Sequence, residues 1–287
     1  AASDVYKRQP FDTRIVSKTA AYLQNINTQV IICDIAPIGI SVSDASGIPA
    51  VLVENFTWDW IYAGYHDRHR ELRRFSELLG DIYDRARLRI QVRPFCLSQP
   101  TGLKTDPVCR PVSPKAAVVR SDLGIPSSKH MVLLSMGGLG AQSDFQSTLP
   151  DLPDSIFVIP GGSTSLQRFE NVILLPSRTQ HRHPDLVFAA DVVIGKVGYS
   201  TLAEVYQSGT AFGYLTRDDF RESAVLANFI DRNMPSVRLD AGRFFAGDWH
   251  DELSALISMP NARHVRQTGA QKAALGILNQ LGSDRLV

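Results

Sequence analysis

DVVIGKVGYSTLAE, Asp191–Glu204, joins an apolar run to a glycine-bracketed lysine turn and then to a helix opening with hydroxyl residues. Asp191 to Ile194 reads as a short buried strand, and Leu202, Val205 and Tyr206 carry helical apolar spacing. The turn Gly195-Lys196-Val197-Gly198-Tyr199-Ser200-Thr201 therefore ends at a helix start, where first-turn N–H groups and the helix dipole both favour an anion. Lys196 adds positive charge there. Glu204 falls about one turn into the helix, where a carboxylate accepts two hydroxyls. Phosphate plus diol points to a nucleotide, while an ordinary strand–turn–helix of an α/β protein explains the same residues equally well.

Working outward, helix and strand alternate on both sides of this stretch, the pattern of a doubly wound α/β layer. Upstream, Thr13–Gln24 reads as a helix. Gln29–Asp34 (QVIICD) reads as a parallel strand buried on both faces, because its apolar residues are continuous. Ile35–Gly47 follows as loop and helix, Ala50–Glu54 as a strand, and Asn55–Tyr62 (NFTWDWIY) as an aromatic cluster. That cluster suits either a plug against the sheet or a sugar-stacking wall of Trp58 and Trp60. A long polar helix to about Arg87 and a strand at Leu88–Val92 complete the first alternation. Pro94–Lys115 is proline-rich with little periodicity and reads as a linker.

A second alternation begins at Ala116. Strands are expected at His130–Ser135, Ser155–Ile159, Asn171–Leu175 and Ala211–Thr216, with helices at Asp219–Arg232 and His250–Met259 and a closing helix at Gly269–Leu281. Gly137-Gly138, after the first of these strands, leave amides open to a phosphate or simply end the strand. The charges of Thr216–Glu222 touch a sugar or phosphate, or cap a helix.

Composition narrows the function classes. The chain has 287 residues, 44% of them hydrophobic and 21% charged, with a net charge of +1. This is the composition of a soluble globular protein with room for two domains, and the charge balance gives no case for nucleic acid. The locally basic stretch Arg68–Arg93 reads as a solvated helix face. Cys33, Cys96 and Cys109 form no metal or CxxC spacing, so a reducing cytoplasm is the expected compartment. No membrane span and no signal peptide is visible. His181 and His183, two apart without a carboxylate pair, make poor zinc evidence, so no metal is expected. There is no GxGxxG with a following acid, no GxxxxGK[ST] and no GxSxG, which leaves dinucleotide cofactors, Walker-type NTPases and hydrolase elbows unsupported. No cofactor is expected.

GKVGYSTLAEV followed by LTRDDFRESAVLANFI resembles the nucleotide-sugar-binding half of two-Rossmann-domain (GT-B) glycosyltransferases. The resemblance is to the glycosyltransferase-like N-terminal region of L-arabinokinase and its stand-alone bacterial relatives in particular. DIAPIGISVSDASGIPAVLVENFTWDWIY (Asp34–Tyr62) and Gly247-Asp248-Trp249 match the same group, so the resemblance covers nearly the whole chain after Pro10.

The resemblance implies an α/β fold of two Rossmann-like domains, the N-terminal one truncated, and transfer of a glycosyl group from a nucleotide-diphosphate sugar to an acceptor it does not name. Gly137 and Gly138 would meet the donor diphosphate or nucleoside, and Lys196, Gly198, Tyr199, Ser200 and Thr201 would hold phosphate. Glu204 would accept the ribose hydroxyls, and Arg217, Phe220 and Glu222 would border the sugar. The loop that usually carries the catalytic base precedes Pro10, leaving Asp34 as the one upstream carboxylate to nominate. Epimerisation or hydrolysis of the same donor, and non-catalytic sensing, remain alternatives.

The expected division is 1–9 as a non-native scar, since DVYKRQ at Asp4–Gln9 is what a sequencing-library adapter encodes in one frame. Residues 10–93 are then an acceptor-domain remnant, 94–115 the linker, and 116–287 the nucleotide-sugar domain with its closing helix at 269–281. That helix is open to returning to the first domain.

Overall fold

A computed structural model describes residues 11–136, 149–150, 152–260 and 268–283. The chain divides into two compact units, one formed by Ala1–Val108 with Gly269–Val287, the other by Cys109–Thr268.

In the first unit, α1 (Thr13–Asn25) is capped by Asp12, whose carboxylate accepts from Arg14 N at 2.8 Å, and it buries Val16 and Ala20, one turn apart. Then come β1 (Ile31–Asp34), α2 (Pro37–Ser46), β2 (Ala50–Glu54), α3 (Trp58–Ala63), α4 (Leu72–Tyr83), β3 (Leu88–Val92) and β4 (Leu103–Thr105). Helix α2 starts with Pro37 in its first turn and stops at Gly47, whose φ of 74° is the left-handed cap that glycine adopts without strain. The four strands are parallel and lie in sequence order, β1-β2-β3-β4.

Three expectations are corrected here. β1 is an edge strand, so Ile32 is 58% exposed rather than buried on both faces. The long polar helix is two helices, α3 and α4. The stretch read as a linker carries β4, which pairs with β3.

A closed polar network ties the ends of β2 and β3 together. Gln91 Nε2 donates to Glu54 Oε1 and to Leu97 O, both at 2.8 Å, and Gln91 Oε1 accepts from Gln99 N at 2.7 Å. Burial is the main cause that raises the Glu54 pKa above its ordinary value.

The second unit contains α5 (Val119–Asp122), β5 (His130–Ser135), β6 (Ser155–Ser163), β7 (Gln167–Arg168), β8 (Val172–Pro176), α6 (His183–Ala189), β9 (Val192–Lys196), α7 (Tyr199–Ser208), β10 (Ala211–Leu215), α8 (Glu222–Asn233), β11 (Ser236–Arg238), α9 (Ala241–Phe245) and α10 (His250–Ser258). Its sheet order is β11-β10-β9-β5-β6-β8-β7, parallel except for the antiparallel β7. The closing helix α11 (Ala270–Ser283) belongs to the first unit. It packs on β4 and β3, and Gly269 N donates to Pro107 O at 3.0 Å.

The second unit's sheet is buried on both faces. Met131, Leu133 and Val193 face one apolar cluster, whereas Val132, Leu134, Val192 and Ile194 face the other. That is why their sequence runs are continuously apolar. Asp191 pins the amino ends of the two central strands: its Oδ2 accepts from Met131 N and from Arg120 Nη1, both at 2.8 Å. Strands β6 and β8 extend to one side of β5, and β9, β10 and β11 to the other. The strand order therefore reverses between β5 and β9, and in open α/β sheets the crevice beyond the carboxyl ends at such a reversal is where ligands bind.

Candidate functional site

Strand β9 ends beside β5, with Gly195 opposite Ser135. A Cβ on Gly195 would stand 2.7 Å from Ser135 O, so only glycine lets these backbones meet. Beyond it, Lys196-Val197-Gly198 turns into α7. Val197 N donates to Leu215 O at 2.8 Å, anchoring the turn to β10, and Leu202 N donates to Gly198 O at 3.0 Å, closing the first helical turn. Gly198, at the cap position, contributes no capping side chain to that turn. Tyr199, Ser200 and Thr201 follow at the surface end of the helix. Sheet alternation sets Lys196 on the face opposite Ser135, the face that continues from Ile194.

Glu204 lies deeper than its expected role implied. Its side chain is 5% exposed, and both oxygens are taken: Oε1 by Arg110 Nη2 at 3.1 Å, Oε2 by His183 Nδ1. The other ring nitrogen, His183 Nε2, lies 2.8 Å from Ser135 Oγ. A hydroxyl, an imidazole and a carboxylate thus stand in a row at the strand reversal. The chain around them is fixed by further bonds. Asp185 accepts from Ser113 N at 2.7 Å and from Ser113 Oγ at 2.8 Å, and Cys109 Sγ donates to Gln207 Oε1 at 2.8 Å. Burial, and secondarily the Glu204 charge, pushes the Cys109 thiol up to about 12.

Past β10, Arg217 lies over the Phe220 ring at 4.5 Å, and its Nη2 is 3.8 Å from the buried Glu222 carboxylate. A cavity of about 400 Å³ opens beside them, lined by Thr216, Arg221, Asn228 and Arg238 among others. Arg217 and Phe220 line it too, but Glu222 does not. Gly137 and Gly138 lie outside the described residues. Asp34 ends β1 in the other unit, exposed, directly before Ile35, whose φ is positive.

Among the described residues no group of three or more His, Cys, Asp or Glu side chains could hold a metal ion, and no helix is long and apolar enough to cross a membrane. Sequence reading missed Ser135, His183 and Arg110 as site residues. His183 had been weighed only as half of a histidine pair, and in the structure it is held by a serine and a glutamate instead.

The architecture is that of known proteins. The calicheamicin glycosyltransferase CalG4 superposes with a TM-score of 0.59 at 13% identity, covering 94% of this chain and 79% of that one. MurG of Acinetobacter baumannii does so with a TM-score of 0.56 at 14% identity, covering 93% and 78%. The glycosyltransferase VinC, in complex with dTDP, gives 0.56 at 14% identity, covering 94% and 72%.

The chain has the GT-B fold.

Its two units of parallel strands are the two Rossmann-like layers of that fold. L-arabinokinase of Arabidopsis thaliana is 26% identical over 269 residues, which are 91% of this chain and 25% of that protein. The GT-B chain described here thus spans about a quarter of the plant relative's length. No family model matches it.

Proposed function

We propose that the second unit binds a nucleotide-diphosphate sugar and that the chain serves transfer of its glycosyl group to an acceptor. The observation that carries this reading is the convergence at the β5–β9 reversal of the α7 start, Glu204, His183 and Ser135 in a GT-B fold. The diphosphate meets the first turn of α7, where Gly198, Tyr199, Ser200 and Thr201 offer backbone N–H and hydroxyl groups and Lys196 supplies charge. Helix start and basic groups then stabilise the leaving diphosphate without a metal.

The nucleoside lies toward Glu204. The sugar lies toward Arg217, Phe220 and Glu222, whose loop follows β10, one strand spacing of roughly 4.8 Å beyond β9. Gly137 and Gly138 remain proposed donor contacts, and Asp34 a proposed acceptor contact. The complex of VinC with dTDP supports a nucleotide in this fold.

Hydrolysis of the same donor is favoured by one observation: an imidazole whose Nδ1 is held by a carboxylate is a base able to activate water. The test is thermal shift against a panel of nucleotide sugars, followed by assay of the stabilising donor for transfer and for hydrolysis. Stabilisation by none of them overturns the donor reading, and free sugar without an acceptor selects hydrolysis.

A further inference from the structure

We infer that the cavity beside Thr216 is a second binding site, separate from the donor position, for a small anion that also carries hydroxyls: a monosaccharide bearing a phosphate or a carboxylate. The inference stands apart from the donor reading above. Arg217 and Phe220, which border the sugar in that reading, form one wall of the cavity, but no residue of α7 lines it, nor do Ser135, His183 or Glu222. Helix α8 explains the separation. Its Leu226 and Ile230 pack with Leu202 and Val205 of α7 in one apolar core. Ala224, Asn228 and Asp231, at helical spacing on another face of α8, run along the cavity instead. The far side is Arg238, which ends β11, the outermost strand, two strand spacings or roughly 9.6 Å beyond β9.

The sign of the ligand's charge follows from the lining. Arg217, Arg221 and Arg238 stand there with Asp218 and Asp231, three cations to two anions. Both carboxylates already accept from neutral hydroxyls, Asp218 Oδ1 from Thr216 Oγ1 at 3.2 Å and Asp231 Oδ1 from Tyr214 OH. Arg238 is likewise held by a neutral partner, since its Nη2 donates to Thr216 Oγ1 at 3.0 Å. That bond takes one of the five N–H donors of a guanidinium, whose planar fork matches two oxygens of a carboxylate or phosphate.

Size and polarity fix the rest. The volume of about 400 Å³ is at the small end of ligand cavities, which run from roughly 300 to 1,000 Å³. Ala224 and Ala227 give it a small apolar floor for the C–H face of a sugar ring, and the Asn228 amide offers both a donor and an acceptor to hydroxyls. A bare phosphate leaves floor and amide unused; a neutral sugar leaves the arginine fork unused.

The experiment is NMR titration of the full chain with a hexose 6-phosphate, a hexuronate, the neutral hexose and inorganic phosphate, first alone and then with ADP, GDP, CDP and UDP present. At least one of the two anionic sugars should bind tenfold or more tightly than both the neutral hexose and phosphate, and which one binds identifies the charged group. Its affinity should be unchanged by the nucleotides. Arg238→Gln keeps an N–H for Thr216 but loses the charge and the fork, so binding should weaken about tenfold, while Arg238→Lys, which keeps the charge, should recover part of it. Arg232→Gln, on the same helix but outside the cavity, should leave affinity unchanged. Binding of neither anionic sugar overturns the inference, as does equal binding of the neutral hexose or of phosphate, or equal weakening by Arg238→Gln and Arg232→Gln. Displacement by a nucleotide also overturns it, by making the cavity part of the donor position. Absence of any nucleotide binding counts against the donor reading alone and leaves the Arg238 comparison to decide this one.

Discussion

QVIICD and DVVIGK look alike on paper, two apolar runs that each end at a polar residue, yet the molecule uses them differently. In the first unit the run forms β1 at a sheet edge, with Ile32 58% exposed. In the second it forms β9 at the middle of a sheet, with Val192, Val193 and Ile194 fully buried. The first sheet keeps its strands in chain order and closes its carboxyl edge with the Glu54–Gln91–Gln99 network. The second reverses order at β5–β9 and gathers unrelated side chains there. An apolar run specifies a strand; topology decides whether that strand borders solvent, a core or a ligand.

The largest effect that sharpens this comparison comes from Ile194→Ala. Removing a fully buried branched side chain from the central strand should cost about 2–5 kcal/mol, read as a lower denaturant midpoint for the second unit. A loss under about 1 kcal/mol would make β9 no more demanding than an edge strand.

Next is Glu204→Gln. Its amide keeps the shape of the carboxylate but loses the charge that faces His183 and Arg110 beside the proposed nucleoside position. Nucleoside diphosphate affinity should fall about tenfold, the factor that ~1.4 kcal/mol represents. Arg110 is 63% exposed and finds water when its partner is lost, so stability should change by no more than about 1 kcal/mol. Global unfolding of this variant would instead make Glu204 a core support alone.

A smaller effect belongs to the other unit's buried carboxylate. The folded-state pKa of Glu54 is raised, so the folded chain holds its proton more tightly than the unfolded chain. Stability of the first unit should therefore fall as pH rises from the unfolded value through the folded one. Glu54→Gln, neutral throughout and still able to accept from Gln91, should flatten that slope. Hydrogen exchange of β2 and β3 amides across this range checks it, and an unchanged slope assigns the pH dependence elsewhere. Smallest is Ile32→Thr at the exposed edge, expected to stay within about 0.5 kcal/mol of wild type in chemical denaturation. A large loss there would show that β1 is covered in solution.

Much of the fold was legible because periodicity and punctuation are local. Gly47 and Pro37 bound α2, and the strand–turn–helix at Val192–Ser208 was readable from its apolar run and bracketing glycines. The short strands β4, β7 and β11 escaped because two or three residues carry no period. Ile32 escaped because alternation says nothing about which strand lies outermost.

In the candidate site, Lys196–Thr201 and Glu204 stood out because they are neighbours in sequence. Ser135 lies 48 residues before His183, and His183 lies 21 before Glu204. Only the crossover from β8 back past β5 to β9 brings these three side chains together, and no local pattern encodes that crossing.

Because α11 belongs to the first unit, the chain leaves that unit at Val108 and re-enters it at Gly269. On the ribosome, the second unit is therefore fully synthesised before the first has received its final helix. The nascent chain finishes its seven-stranded sheet while β3 and β4 still await the helix that covers them. The continuous segment Cys109–Thr268 is also the natural piece to excise, whereas the first unit can be isolated only by stitching two distant segments into one.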